Sequence, residues 1–249
     1  MNRTISLRLL AVLAVLSGLG TLITGCSSST TPPAGFTYTN PKAGTAYRFH
    51  VTMIDSTSGS PSKTTMGDSV SLVVASGVKY KGQDSVIELL NDSGQTTSDT
   101  TFYKFESNGD VSVYIPGFGA SGFNFASPTP WIRLPFGSQK TNDTLFVEDT
   151  NINVSGTSLS VHLVAVTSYV GTEELDVNGP PIAKGGVAKV LIIATVFGQP
   201  ITATVTYSID PSIGGYFHSI TDLKVPTIVI LTGNTHHKDK TMTSFTLVK

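Results

Sequence analysis

Apolar and polar residues alternate along several stretches of the chain with a period of two. After Ala46, the larger apolar positions are Tyr47, Phe49, Val51 and Met53, and the positions between them are Arg48, His50 and Thr52. This spacing places the two sets on opposite faces of an extended chain, so it predicts a strand over Ala46–Met53 with His50 on the polar face. The same alternation recurs over Ile201–Ile209, where every second residue is threonine or serine.

Other runs are rich in β-branched and aromatic residues, which favour strands. They predict strands at Ser69–Val74, Ser85–Leu90, Trp131–Leu134, Thr144–Glu148, Leu159–Val170, Val187–Phe197, Tyr216–Val225 and Thr243–Val248. Within Val187–Phe197 the run Val190–Ile193 is apolar on both faces, which is typical of a central strand covered on both sides. The segment Ala75–Asp84 is rich in turn-forming residues and is interpreted as a turn. No window after Cys26 shows the i, i+3, i+4, i+7 stripe of a helix.

One hairpin has a strong local signal. The strand-like runs Phe102–Glu106 and Val111–Ile115 flank Asn108-Gly109. Asparagine and glycine both tolerate positive φ angles, which the two central residues of a type I′ turn require. The sequence therefore predicts a hairpin with a type I′ turn at this pair.

About ten strands joined by short polar connections predict an all-β fold, because a wide twisted sheet curls, closes or splits. We expect a single curved antiparallel sheet, either a half-barrel or a barrel. A two-sheet β-sandwich is the alternative. A curved sheet has a concave face, and that face is the geometric reason to consider ligand binding.

The first 26 residues have a different pattern. Arg3 and Arg8 precede an almost wholly apolar run, Leu9–Leu22. This arrangement is typical of a secretory signal, and the run is too short for a spanning helix. The next residues, Ile23-Thr24-Gly25-Cys26, resemble the lipobox of bacterial lipoproteins. The resemblance implies that residues 1–25 are removed, that Cys26 carries diacylglycerol and a further acyl chain such as palmitate, and that the protein is held at a membrane. Residues 26–41 are then a flexible tether, rich in Ser, Thr and Pro, and residues 42–249 the β domain.

Composition excludes several classes of function. Without Arg3 and Arg8, the 16 basic residues become 14 against 17 acidic ones, a net charge of −3. That balance provides neither a nucleic-acid surface nor a polybasic membrane patch. Cys26 is the single cysteine, so the domain contains no disulfide, and its stability must come from the core.

The motifs that suggest chemistry have a simpler structural interpretation. Gly117–Gly122 matches G-x-G-x-x-G, but the proline-containing segment that follows cannot open the helix that a dinucleotide site needs. The pair His236-His237 is interpreted as a solvated hairpin tip rather than a metal site, because adjacent residues on an extended chain point in opposite directions. His50, His162 and His218 are interpreted as half-buried sheet residues. We find no nucleophile elbow. The carboxylates around Glu173 lack a second acid whose position relative to them the sequence predicts, so no catalytic residue, metal or cofactor is predicted.

Aromatic residues cluster in a Gly- and Pro-rich segment that also holds the single tryptophan. They are Phe118, Phe123, Phe125, Trp131 and Phe136. Pockets are lined mainly by hydrophobic and aromatic side chains, so these residues are the candidate lip of an apolar binding pocket. The alternative is that they fill one end of the barrel or sandwich as ordinary core.

Three short motifs resemble the envelope lipoproteins of the LolA/LolB-like half-barrel superfamily. They are Pro41-Lys42-Ala43-Gly44 before the first strand, Trp131–Phe136, and Tyr207–Gly214 before a strand that ends at Lys224-Val225-Pro226. The resemblance implies a curved sheet whose hydrophobic concave face holds an acyl chain or another apolar ligand.

Two hypotheses of function follow. The first is a non-enzymatic, lipid-anchored envelope protein that binds a lipid or other hydrophobic molecule. The second is a structural or interaction module displayed for a protein or polysaccharide partner. Ser27 after Cys26 favours the outer membrane, and the outer leaflet of the cytoplasmic membrane is the alternative location. The oligomeric state is not predicted.

Overall fold

The computed structural model describes residues 38–91, 99–114, 131–154, 157–176, 183–227 and 233–248. These residues form twelve β-strands and no helix. In chain order the strands are β1 (Ala46–Thr57), β2 (Lys63–Tyr80), β3 (Gln83–Asn91), β4 (Asp99–Phe105), β5 (Val111–Tyr114), β6 (Trp131–Leu134), β7 (Asp143–Val154), β8 (Thr157–Leu175), β9 (Ala183–Val196), β10 (Gln199–Asp210), β11 (Gly215–Val225) and β12 (Asn234–Thr246).

All twelve strands belong to one sheet with the order β6-β5-β4-β3-β2-β1-β12-β11-β10-β9-β8-β7. Each half of the chain forms an antiparallel meander of six strands, and the two meanders join where β1 pairs with β12. The sheet curls into a nearly closed barrel, in which the edge strand β6 lies against β8 and β9. The predicted all-β fold with a single curved antiparallel sheet is confirmed, with twelve strands in place of about ten.

The inside of the barrel is lined by the apolar positions of the alternating pattern. In β1, Tyr47, Phe49 and Val51 are buried, whereas Arg48 and His50 are exposed, as the pattern predicts. In β9, Val190 and Ile192 are buried, but the intervening apolar residues are only half-buried. The prediction that β9 is covered on both faces is therefore wrong for the outer face.

One end of the barrel is closed by four segments, residues 38–45, 106–110, 135–142 and 211–214, which we call the closed end. Antiparallel strand directions bring the connections β4–β5, β6–β7 and β10–β11 to this same end. The Tyr38 hydroxyl donates to the Gly109 carbonyl at 2.8 Å, and the Thr39 amide donates to the Pro211 carbonyl at 2.9 Å. The Tyr47 hydroxyl donates to the Ile213 carbonyl at 2.9 Å. These bonds tie distant segments of backbone together.

Asp110 is the central carboxylate of the closed end and is fully buried. Its Oδ1 accepts hydrogen bonds from the amides of Gly137 at 3.0 Å and Ser138 at 2.8 Å, and its Oδ2 accepts one from Asn108 Nδ2 at 2.9 Å. A Cβ atom at Gly137 would overlap the Asn108 carbonyl oxygen, so only glycine permits this approach. The carboxylate therefore clamps the β4–β5 turn against the β6–β7 connection.

Residues 1–37, which contain Cys26, the predicted signal and most of the predicted tether, lie outside the described residues. Tyr38 and Thr39 already belong to the closed end through the bonds above. All the described strands and their buried core lie between residues 38 and 248. The described residues share one hydrophobic core cluster, as the residues of a single domain do.

The hairpin at Asn108-Gly109 is confirmed, but its predicted turn type is wrong. Gly109 has a φ of 84°, whereas Asn108 has no positive φ. The Glu106 carbonyl accepts from the Gly109 amide at 2.9 Å, and the Glu106 amide donates to the Asp110 carbonyl at 2.8 Å. That pattern is a three-residue loop with glycine in the left-handed region. The Asn108 side chain holds the wider loop by accepting a bond from the Asp110 amide at 3.1 Å.

Two other connections have the positive φ angles expected of a type I′ turn. They are Lys81-Gly82, with φ of 45° and 77°, and Phe197-Gly198, with φ of 50° and 71°. Each joins two strands through two residues, since Tyr80 pairs with Gln83 and Val196 pairs with Gln199. The first residue of each pair is not one that the sequence rules favour at positive φ, so the type of these turns carried no signal, although Lys81-Gly82 lies within the segment interpreted as a turn.

Several strands are longer than predicted, and two of the extensions replace a predicted turn. The segment Ala75–Tyr80, interpreted as part of a turn, continues β2 through three register shifts. Strand β12 begins at Asn234 rather than at Thr243, so the interpretation of His236-His237 as a hairpin tip is wrong. The polar residues at the start of β12 pair with both polar and apolar residues of β1 and β11, as His237 does with Ile54 and Asp222, so this segment has no hydrophobic pattern of its own.

Candidate functional site

A partly enclosed cavity of about 410 Å³ lies inside the barrel, between strands β3–β6 of the first meander and β10–β12 of the second. Small-molecule sites occupy clefts of about 300 to 1,000 Å³, so the volume is adequate for a ligand. The cavity is where the two meanders face each other across the barrel.

The first wall of the cavity, contributed by β3–β6, is mainly apolar. Its apolar side chains are Leu89, Tyr103, Phe105, Val111, Val113 and Leu134. They point inward because they occupy alternate positions on their strands, as the buried pairs Val111 with Val113 and Ile132 with Leu134 illustrate. Asn91 and Thr101 are the polar members of this wall.

The second wall, contributed by β10–β12, is mainly polar. Its polar and charged side chains are Tyr207, Tyr216, Ser219, Thr221, Lys238 and Lys240. Cross-strand register explains the pattern, because Ser219 pairs with Lys240 and Thr221 pairs with Lys238. Each lysine therefore has a hydroxyl-bearing neighbour on the same face of the sheet.

Lys240 is the most unusual residue of the site, because it carries a charged side chain and is only 4% exposed. Its Nζ donates to the Ser71 hydroxyl at 3.1 Å. The same atom lies 4.6 Å from the ring centroid of Phe49 and 5.6 Å from that of Tyr216, both within cation–π range. Strand pairing places Lys240 opposite Val51, on the inner face of the barrel.

A chain of side-chain hydrogen bonds extends from Lys240 along the edge of the cavity. The Ser71 hydroxyl donates to Asn91 Oδ1 at 3.0 Å, and the Tyr216 hydroxyl donates to the same oxygen at 3.1 Å. Asn91 Nδ2 donates to Thr101 Oγ1 at 2.8 Å. These bonds orient the Asn91 amide and connect both walls of the cavity. A buried polar network of this kind specifies one arrangement of side chains.

Tyr103 lies at the junction between the cavity and the closed end. It lines the first wall, and its hydroxyl donates to the Gly214 carbonyl at 2.9 Å. Burial raises the pKa of Tyr103 well above its ordinary value, and burial is also the main cause of the raised pKa of Tyr47. Both phenols are therefore neutral hydrogen-bond donors at physiological pH.

Of the five residues proposed as a pocket lip, the structure describes Trp131 and Phe136. Phe136 is 1% exposed and packs in the core beside Gly186. Trp131 lies on β6, and its ring contacts Tyr114 with 5.5 Å between centroids. Neither residue lines the cavity among the described residues. Phe118, Phe123 and Phe125, like Cys26, lie outside the described residues, so their roles stay predictions.

Sequence reasoning did not identify Lys240, Asn91, Ser71 or Tyr216. A signal existed for Lys238 and Lys240, which share a period of two with the buried Met242. It was hidden because the segment around them was assigned to a turn. The hydrogen-bonded group itself spans β2, β3, β11 and β12, and no local pattern brings those strands together.

All five histidines pair with carboxylates. The Nδ1 atoms of His50, His162, His218, His236 and His237 lie 2.6 to 3.3 Å from Asp68, Asp149, Glu173, Asp55 and Asp222 respectively. In particular, His236 and His237 bond to different neighbouring strands. Within the described ranges, no cluster of three or more side chains could hold a metal ion.

The group around His218 is the nearest arrangement to a catalytic cluster. Its Nδ1 is 2.7 Å from Glu173 Oε1, and its Nε2 is 3.4 Å from Asp239 Oδ1. The Ser208 hydroxyl also donates to Glu173. A nucleophile requires a hydrogen bond to its base, and here the serine and the histidine both bond to the carboxylate instead. The arrangement is that of a cross-strand polar cluster.

The described part of the chain contains no helix that is long and apolar enough to cross a bilayer. No family model, no curated protein and no solved structure matches the chain. The case for a function therefore depends on the cavity and its two walls.

Proposed function

We propose that this is a non-enzymatic, lipid-anchored envelope protein whose barrel binds a lipid or another hydrophobic molecule. The observation that carries the proposal is the cavity of about 410 Å³ with a wall of six apolar side chains. Burial of apolar ligand surface against such a wall contributes about 25 cal/mol per Å² before the costs of association. The resemblance to half-barrel lipoproteins gave the same expectation.

The membrane attachment is part of the proposal. Cys26 follows the Ile23-Thr24-Gly25 motif, and two or more acyl chains hold a protein stably at a bilayer. The proposed location is the outer membrane, and the alternative is the outer leaflet of the cytoplasmic membrane. Incorporation of labelled palmitate into the wild-type protein, but not into Cys26→Ser, supports the anchor, and equal labelling of both contradicts it.

Ligand binding is tested with the neutral fluorescent probe N-phenyl-1-naphthylamine and residues 27–249, which include every described strand. We expect a fluorescence increase that saturates with one probe per protein. The Val113→Phe substitution fills the cavity from the first wall and is expected to abolish binding. Val170→Phe is the matched control, since Val170 is 59% exposed on the outside. Binding that survives Val113→Phe unchanged contradicts the assignment to this cavity.

A second candidate function, an interaction module, is favoured by one separate observation. Four aromatic rings form a strip across β2, β4, β5 and β6, in which Tyr80 stacks on Phe102 at 3.7 Å and Tyr114 contacts Trp131. Retention on cell-wall polysaccharide that is lost in Trp131→Ala, with probe binding unchanged, would support this function over the first.

A further inference from the structure

We propose that the ligand of the cavity is a single-chain amphiphile with an anionic headgroup, a carboxylate or a phosphate, which is bound at Lys240. This inference rests on the proposed function, because it specifies the ligand of the same cavity. It follows from the contrast between the apolar first wall and the cationic second wall.

The first step of the argument is the location of positive charge. Lys238 and Lys240 lie two residues apart on β12, so both side chains are on the inner face of the barrel. Among the described residues that line the cavity, these two lysines are the charged ones, and no acidic residue is present. Two ammonium groups at the edge of a low-dielectric cavity create a positive potential that attracts an anion.

The second step is the supply of hydrogen bonds around that charge. The hydroxyls of Ser219 and Thr221 lie beside the two lysines in the register of β11 and β12. The Tyr216 hydroxyl lines the same wall, but it donates its proton to Asn91 Oδ1 at 3.1 Å, so it orients the wall rather than donating to a headgroup. An anionic headgroup has several acceptor oxygens, and charge-assisted bonds to such oxygens are stronger than neutral ones.

The third step concerns the rest of the ligand. Opposite the lysines, the wall formed by Leu89, Phe105, Val111, Val113 and Leu134 contains no charged group. This surface matches an alkyl chain, which gains free energy from leaving water and needs no polar partner. One ligand that contacts both walls must therefore combine an anionic head with an apolar chain.

The test compares four ligands that share a ten-carbon chain, with residues 27–249 and isothermal titration calorimetry. Decanoate and decyl phosphate are anionic, decanol is neutral and decyltrimethylammonium is cationic. We expect at least one anionic ligand to bind about 10- to 100-fold more tightly than decanol, which is the usual contribution of a charged hydrogen bond. The cation should bind most weakly. The better of the two anions identifies the headgroup.

The matched variants are Lys240→Met and Lys189→Met. Both remove one positive charge and keep a similar side-chain length, but Lys189 is exposed on β9 and does not line the cavity. We expect Lys240→Met to reduce anion affinity to that of decanol without changing decanol binding, and Lys189→Met to behave as wild type. A thermal melt checks the folding of each variant.

The outcomes separate the two proposals. Equal affinity of wild-type protein for anions and decanol overturns the headgroup inference and leaves hydrophobic binding intact. Anion affinity that Lys240→Met does not reduce overturns the assignment of the head to Lys240. If none of the four ligands and no neutral probe binds, the proposed function itself is overturned.

Discussion

At the closed end of the barrel, buried polar side chains bond to backbone, whereas in the cavity they bond to one another. Asp110 accepts from the amides of Gly137 and Ser138, and Tyr47 and Tyr103 donate to the carbonyls of Ile213 and Gly214. In the cavity, Lys240 donates to Ser71, which donates to Asn91. The bonds of the closed end hold distant segments of backbone together, whereas those of the cavity orient side chains that line its walls. The closed end thus supports the fold, and the side-chain bonds determine the chemistry of the cavity walls.

The largest effect is expected from breaking the closed end at Asp110. Asp110→Ala removes the acceptor of three hydrogen bonds and leaves the amides of Gly137 and Ser138 without it. We expect the free energy of unfolding to fall by about 3 kcal/mol, as measured by urea denaturation. Asp84→Ala is the control, because Asp84 is exposed and forms an ion pair with the equally exposed Lys79. A loss below about 1 kcal/mol for Asp110→Ala would contradict the account of this clamp.

A smaller, pH-dependent effect is expected from the buried tyrosines. Burial raises the pKa of Tyr103 and of Tyr47 in the folded protein above the value of about 10 in the unfolded chain. The neutral forms stabilise the fold fully below pH 10, and this contribution is lost as the pH rises toward the higher folded pKa. We therefore expect the free energy of unfolding to decrease above about pH 10.

Tyr103→Phe separates the hydrogen bond from the titration. At pH 7 the variant should lose about 1 kcal/mol, because the bond to the Gly214 carbonyl is absent. Above pH 10 its stability should fall less steeply than that of the wild type, since one buried phenol no longer ionises on unfolding. Parallel pH profiles of the two proteins would show that Tyr103 does not take part in the alkaline transition.

The smallest effect on stability is expected in the cavity. Lys240→Met replaces a buried cation with an apolar side chain of similar length, so the loss of the bond to Ser71 is offset by removal of the cost of burying a charge. We expect a change within about 1 kcal/mol in the free energy of unfolding, in contrast to Asp110→Ala. The measurement is the same urea titration. A loss of 3 kcal/mol or more would place Lys240 among the residues that hold the fold, on the scale of removing one partner of a buried pair, roughly 3 to 5 kcal/mol.

Local alternation of apolar and polar residues was sufficient to predict the all-β fold and the inner face of β1, because burial of Tyr47, Phe49 and Val51 leaves a period of two in the sequence. It failed at the start of β12, where His236 and His237 satisfy their side chains with Asp55 and Asp222 on other strands. It also failed at Asn108-Gly109, where the loop is set by the need of Asp110 to reach Gly137. Each failure involves a partner that lies far away or on another strand.

The composition of the cavity was even harder to predict from local sequence patterns. A concave face could be expected from a curved sheet, but its chemistry depends on which residues of the two meanders face each other. Lys240 and Ser71 are separated by 169 residues, and Tyr216 and Asn91 by 125. These pairs follow from the join between β1 and β12, and no short-range pattern specifies that join.

The most direct test of the central claim is native mass spectrometry of the protein purified from the cells that produce it, with lipid extraction of the same sample. We predict a stoichiometric adduct that extracts into organic solvent, ionises as an anion, and is absent from Val113→Phe. An unliganded mass for the wild-type protein, together with no binding of N-phenyl-1-naphthylamine, would contradict the claim that the cavity is a binding site.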